Sequence, residues 1–69
     1  MIMIAVHING TIKEIQTGTT ISALTNDLDV AHKKIALEIN EEIIPRSQFD
    51  SRILQNGDKI EIVTAVGGG

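Results

Sequence analysis

The terminal carboxylate of Gly69 is the group in this 69-residue chain best placed to react, because it follows two further glycines, Gly67 and Gly68. Glycine has no Cβ and reaches nearly all backbone conformations, so this ending forms a thin thread. Three extended residues span roughly 10 Å, which is enough to enter a narrow cleft on another protein. A carboxylate becomes an acyl donor once ATP converts it to an acyl-adenylate. Taken alone, however, the glycines are equally consistent with a frayed end or a linker.

The other chemically capable side chains do not form a catalytic or metal-binding pattern. His7 and His32 are 25 positions apart with no further ligand at useful spacing, whereas a metal site needs three or four ligands. Glu41 and Glu42 are adjacent on a predicted turn, which favours a solvated turn over an acid–base pair. The serines lack a partner base. We therefore expect no catalytic residue, no metal and no bound cofactor.

Composition excludes several classes of protein. There are no cysteines, and Phe49 is the single aromatic residue, so the core must be aliphatic. A net charge of −3 argues against nucleic-acid binding, which requires a basic face. No apolar run approaches the ~20 residues of a membrane span, and the N-terminal residues do not form a signal peptide. We expect a cytoplasmic protein without a membrane or nucleic-acid partner.

Apolar periodicity predicts one helix among several strands. The dipeptide Asn9-Gly10 separates two β-rich runs and predicts a hairpin. Thr20 is a predicted N-cap for a helix that carries Ile21, Leu24 and Leu28 on one face, supported by Ala23. A strand over residues 35–40, a short edge strand that ends at Pro45, and a last strand over residues 59–65 follow. This order predicts the α+β class with a β-grasp fold, a mixed sheet packed on one helix.

The chain is predicted to contain one β-grasp domain over residues 1–66 and a flexible glycine tail over residues 67–69. Phe49 and Leu54 are predicted to anchor a short helical turn within residues 47–53. The expected inward residues are Val6, Ile8, Ile21, Leu24, Leu37, Ile39, Ile60 and Ile62. Val63 should face outward, and with Ala65 and Val66 it forms a candidate surface for a partner, to which Arg46 is a further candidate contact.

Several stretches resemble the ThiS family, the sulfur carriers of thiamin thiazole biosynthesis, and the resemblance covers nearly the whole chain. They are Asn9-Gly10, Thr20-Ile21, residues 40–46, residues 57–63 and the ending Val66-Gly67-Gly68-Gly69. A Gly-Gly end is shared with ubiquitin-like modifiers and with the MoaD-type carriers of molybdopterin synthesis. A MoaD-like carrier and a non-carrier ubiquitin-like binding module therefore stay as alternatives.

The resemblance to ThiS implies that the chain is a protein cosubstrate, not an enzyme. In this scheme a ThiF-like enzyme adenylates Gly69 with ATP, and sulfur from a persulfide-bearing enzyme displaces AMP to give a thiocarboxylate. A ThiG-like thiazole synthase then receives the sulfur. Gly67 and Gly68 are implied to enter the partner's active site.

Overall fold

The computed structural model describes residues 2–64. Met1 and residues 65–69 lie outside this part, and so do the predictions made for Ala65, Val66, Gly67, Gly68 and Gly69. The proposed division between a domain over residues 1–66 and a tail over residues 67–69 is therefore not tested by the described structure.

Residues 2–64 form five strands, one α-helix and one short 3₁₀ turn. The strands are β1 (Met3–Ile8), β2 (Thr11–Gln16), β3 (Ile35–Ile39), β4 (Glu42–Ile43) and β5 (Lys59–Thr64); the helix is α1 (Ile21–Asp27), and the 3₁₀ turn is Arg46–Gln48. This order agrees with the sequence prediction. The predicted turn within residues 47–53 begins one residue earlier, at Arg46, and leaves Phe49 buried at its end.

The strands of residues 2–64 make one mixed sheet in the order β2-β1-β5-β3-β4. β5 is parallel to β1 and antiparallel to β3, and the other neighbouring pairs are antiparallel. The last described strand therefore occupies the centre of the sheet. β5 has β1 beside its first two residues and β3 along its length as far as Thr64, so the last described residue lies in the middle strand of the sheet.

Two tight hairpins turn on residues with left-handed backbone. Asn9 and Gly10 have φ values of 48° and 86°, as a type I′ turn between β1 and β2 requires. Asn40 and Glu41 have φ values of 52° and 71° and connect β3 to β4. The prediction placed this second turn at Glu41-Glu42. It lies one residue earlier because asparagine tolerates positive φ, and Glu42 belongs to β4.

Helix α1 begins where predicted and packs on one face of the sheet. The Thr20 Oγ1 accepts a hydrogen bond of 3.1 Å from the Ala23 amide, which satisfies one of the first free donors of the helix. The helix ends at Asp27, and Leu28 is its C-cap. Ala23 is exposed, so the prediction that it supports the apolar face is wrong. Within residues 2–64, no helix is long and apolar enough to cross a bilayer.

The core is aliphatic except for one phenylalanine. Ten apolar residues are buried in the described part of the chain: Val6, Ile15, Ile21, Leu24, Leu37, Ile39, Ile44, Phe49, Leu54 and Ile60. The prediction named six of these, together with Ile8 and Ile62, which are partly exposed and pack against the core. Ile15 and Ile44 were not predicted. The core fills the space between α1 and the inner face of the sheet, and it leaves the outer face open.

Candidate functional site

The outer face of the sheet carries exposed apolar side chains beside the end of β5. Val63 points outward as predicted and is 65% exposed. Ala36 on β3 lies directly opposite Val63, and both residues line an open apolar groove of about 270 Å³ with Lys34 and Ile35. Val63 is the last outward-facing residue of β5, which ends at Thr64. The groove therefore lies beside the C-terminal end of β5.

A pair of carboxylates occupies the same face next to this groove. Glu38 on β3 is directly opposite Glu61 on β5, and Ile43 on β4 is opposite Glu38 and 72% exposed. Neither glutamate forms an ion pair with another residue in the range 2–64. The outer face therefore combines exposed apolar groups with two carboxylates that form no ion pair within residues 2–64.

Two turn asparagines hold β5, one near each end. The Asn9 Oδ1 accepts a hydrogen bond of 2.8 Å from the Ile62 amide, and the Asn9 Nδ2 donates one of 3.0 Å to the Ile62 carbonyl. The Asn40 Oδ1 accepts a bond of 3.0 Å from the Lys59 amide. Its Nδ2 donates one of 3.0 Å to Oδ1 of the buried Asp58. β5 is thus fixed by side chains where the neighbouring strands end.

The turn before β5 adds further hydrogen bonds at its start. Asp58 Oδ2 accepts a bond of 2.8 Å from the Gln55 amide, and Asn56 Oδ1 accepts one of 2.9 Å from the Ala5 amide. Gly57 has a φ of 86°, which favours glycine at this turn. Residues 56–58 therefore form the tight turn that leads into β5.

Arg46 makes contacts within its own chain. Its Nη2 donates a hydrogen bond of 3.0 Å to the Lys33 carbonyl, and its guanidinium carbon lies 5.4 Å from the centre of the Phe49 ring, within cation–π range. Arg46 therefore ties the 3₁₀ turn to the loop before β3. Its predicted contact with a partner stays a prediction.

The two histidines are separated in space as well as in sequence. His7 is half-buried on β1, and His32 is exposed, with its Nδ1 3.9 Å from the Asp29 Oδ1. Within residues 2–64, no group of three or more His, Asp or Glu side chains is arranged to hold a metal ion.

Sequence reasoning missed two features of this site. Asn9 was interpreted only as a turn former, although an asparagine that ends a strand also offers an amide to its neighbours. Alternation does place Glu38 and Glu61 on the outward face. Their direct opposition depends on the register between β3 and β5, which the sequence pattern does not give.

Known proteins resemble this chain both in sequence and in fold. The model of the ThiS family matches residues 6–69. The sulfur carrier protein ThiS of Escherichia coli is 38% identical over 52 residues, which cover 75% of this chain and 79% of that protein. A thiazole synthase of Paramagnetospirillum magneticum is 40% identical over 62 residues, covering 90% of this chain. The chain spans only 19% of the length of that synthase.

A solved structure has the same architecture. The crystal structure of the thiamine biosynthesis protein ThiS from Geobacter metallireducens superimposes with a TM-score of 0.81 at 26% identity. The superposition covers 96% of this chain and 100% of the ThiS chain. It confirms the predicted ubiquitin-like β-grasp fold, and with the family match it shows that the chain belongs to the ThiS family.

Proposed function

We propose that this chain is a sulfur carrier for the synthesis of the thiamin thiazole, with the sulfur held as a thiocarboxylate on Gly69. The observation that carries the proposal is the family match, because it extends over residues 6–69 and so includes all three terminal glycines. A relative named as a sulfur carrier and a fold shared with a solved ThiS protein support it.

The proposed chemistry takes place in two stages on the Gly69 carboxylate. A carboxylate oxygen attacks the α-phosphorus of ATP in a ThiF-like enzyme, pyrophosphate leaves, and an acyl-adenylate forms. The terminal sulfur of an enzyme persulfide then attacks the acyl carbon, and AMP leaves. This step forms a carbon–sulfur bond and gives an acyl disulfide that retains the persulfide's sulfur–sulfur bond. A thiol then attacks the enzyme sulfur of that bond, forms a disulfide with the enzyme, and leaves the thiocarboxylate on Gly69.

In this proposal the chain is a cosubstrate that binds no cofactor, and its partner consumes the ATP. Gly67 and Gly68 enter the partner's active site, where side chains would clash. Because the cycle needs ATP, we place it in the cytoplasm. Neither a nucleic acid nor a membrane takes part.

The sulfur acceptor in this proposal is a ThiG-like thiazole synthase. The thiazole synthase relative supports this choice, because a segment similar to this chain is part of a much longer protein of that name. Joining carrier and synthase in one polypeptide raises their effective concentration and is expected for proteins that act together.

The partner surface in this proposal is the outer face around Val63, continued by Ala65 and Val66, with Arg46 as a further contact. The exposed Val63 and Ile43 have no core to fill, and the apolar groove beside Val63 can accept a partner side chain. The same face can serve the ThiF-like and the ThiG-like enzyme in turn, because the chain must leave one before it meets the other.

The test is to incubate the protein with a ThiF-like enzyme, ATP, a persulfide-forming enzyme and cysteine, and to measure its mass. The expected gain is one oxygen-to-sulfur exchange, which fragmentation should locate at Gly69. Deletion of Gly69, or addition of one residue after it, should abolish the gain, and Gly68→Val should reduce it by narrowing the backbone's conformational range. Omission of ATP is the control.

Transfer to a thiazole synthase distinguishes this function from a MoaD-like role. The thiocarboxylated protein should support thiazole formation and should lose its sulfur in the process. A wild-type protein that every ThiF-like enzyme leaves unmodified would contradict the proposal.

A further inference from the structure

β1 pairs with only the start of β5, because the register places the end of β1 beside the first two residues of β5. The parallel register joins only His7 with Lys59 and Ile8 with Ile60. The backbone amide of Asn9 then donates a hydrogen bond of 2.9 Å to the Ile60 carbonyl. At Gly10 the hairpin turn directs the chain away from β5 and into β2. On its other edge, β5 stays paired with β3 as far as Thr64. The end of β5 would thus be supported by a strand on one edge only.

The side chain of Asn9 makes the hydrogen bonds to β5 that a further residue of β1 would make. A primary amide offers an acceptor oxygen and a donor NH₂, the same groups as a peptide bond. Both are used, since the Ile62 amide donates to Oδ1 at 2.8 Å and Nδ2 donates to the Ile62 carbonyl at 3.0 Å. The NH and CO groups of Ile62 both face the β1 edge, so the end of β5 is held on both edges, by Asn9 at Ile62 and by β3 on the other side, only two residues before Thr64.

We propose that Asn9 is a positioning residue for the carrier reaction, an inference that rests on the proposed function. Its side-chain amide fixes the end of β5, so the thread towards Gly69 starts from a defined point and direction. A partner that must guide this thread into a narrow site then has less conformational freedom to remove on binding. Loss of the amide should therefore weaken productive binding more than the chemical step.

Asn40 provides a matched control at the other end of the same strand. Its side chain also makes two hydrogen bonds, to the Lys59 amide and to Asp58, at 3.0 Å each. Asn9 and Asn40 both have left-handed φ values, of 48° and 52°, which glycine adopts without strain. Asn9→Gly and Asn40→Gly therefore each remove one side-chain clamp and keep the turn, but only the first lies near the exit of β5.

The experiment compares wild type, Asn9→Gly and Asn40→Gly by hydrogen exchange and by thiocarboxylate formation. In Asn9→Gly the Ile62 amide should exchange at least about tenfold faster. The KM of the ThiF-like enzyme for the carrier should rise roughly tenfold, with kcat little changed. Both changes have the size expected for the loss of one or two hydrogen bonds. Asn40→Gly should leave both quantities near wild type.

Asn9→Asp keeps an acceptor for the Ile62 amide but replaces the donor Nδ2 with an oxygen that faces the Ile62 carbonyl oxygen, so two acceptors repel each other. Its KM should rise at least as far as that of Asn9→Gly, and it serves if Asn9→Gly does not fold. Equal KM increases in Asn9→Gly and Asn40→Gly would overturn the positioning role, as would faster Ile62 exchange with an unchanged KM. Absence of any modification of the wild type would instead refute the proposed function itself.

Discussion

At the scale of single residues, Val63 is an exposed apolar residue next to Thr64, the last residue that the structure describes. It is 65% exposed and lies opposite Ala36 beside the apolar groove. An exposed valine contributes little to the fold, so its contribution is expected in a complex. Val63 is thus the residue at which binding and folding are most easily separated by mutation.

Val63→Asp should weaken binding to the ThiF-like enzyme by about tenfold or more, because it brings an unpaired charge into a desolvated contact. Affinity measured by calorimetry tests this, with the thermal midpoint as a check that the fold is intact. Ile12→Asp is the matched control, since Ile12 is 63% exposed and lies on the far edge strand β2 of the same sheet. Equal losses in the two variants would move the docking site away from β5.

Glu41 is a residue whose backbone is under strain. Its φ of 71° places a long side chain in the left-handed region, where glycine is preferred at this position of a type I′ turn. Glu41→Gly should therefore raise the free energy of unfolding, by up to about 1 kcal/mol. Denaturant unfolding with an unchanged m-value would report it.

Glu42→Gly is the comparison for this prediction. It removes the same charge one residue later, inside β4, where glycine weakens a strand. We expect it to lower the free energy of unfolding. Stabilisation by both substitutions would show that charge, and not backbone strain, is responsible.

At the scale of elements, the predictable features were those that follow from the alternation of apolar and polar residues and from the residue types that favour turns. The strand order along the chain, the Thr20 cap and the Asn9-Gly10 hairpin all follow from local pattern. The inward role of Ile15 does not, because Ile12 and Ile15 are three positions apart on β2 and must face opposite sides. The local sequence offers no reason to choose between them, since the choice depends on which face meets α1.

At the β4 edge of the sheet, the local sequence again does not decide which of two isoleucines is buried. Ile43 belongs to β4 and is exposed, whereas Ile44 is buried just past the end of that strand. Its burial depends on how the chain turns into the 3₁₀ helix after Pro45. Prediction of the candidate site has a similar limit. The exposure of Val63 was predictable, whereas the hydrogen bonds between Asn9 and Ile62 were not, because these residues are 53 positions apart in the sequence.

The pairing of β3 with β5 sets two like charges opposite each other, at Glu38 and Glu61. Glu61→Lys should stabilise the fold by about 0.2–1 kcal/mol, because opposite charges on a cross-strand pair attract and like charges repel. The gain should shrink in high salt, which screens charges on an exposed face. Glu14→Lys on β2 is the control, since Glu14 is paired with Ala5. An equal gain in that control would indicate a net-charge effect.

At the scale of the whole molecule, stability depends on one small core. A domain of this size buries only about 60% of the surface of its unfolded chain, so each buried side chain contributes a large share. Leu37 is 1% exposed on β3 and packs in the cluster that joins the sheet to α1.

Leu37→Ala should lower the free energy of unfolding by roughly 2–5 kcal/mol, through lost burial and the cavity left behind. Chemical denaturation measures the change, and Ile12→Ala, at a position that is 63% exposed, should be close to neutral. An unfolding midpoint for Leu37→Ala equal to that of the wild type would contradict the core assignment.

The parallel pairing of β1 with β5 has a mechanical consequence. Residues 2 and 64 lie at opposite ends of the sheet, so tension applied between them slides the two strands along each other. The bonds from His7 to Asp58, from Asn9 to Ile60 and between Asn9 and Ile62 are then loaded together, not opened one after another. The domain should resist stretching along this axis, and an unfolding machine that grips the glycine tail must overcome these bonds before the chain yields.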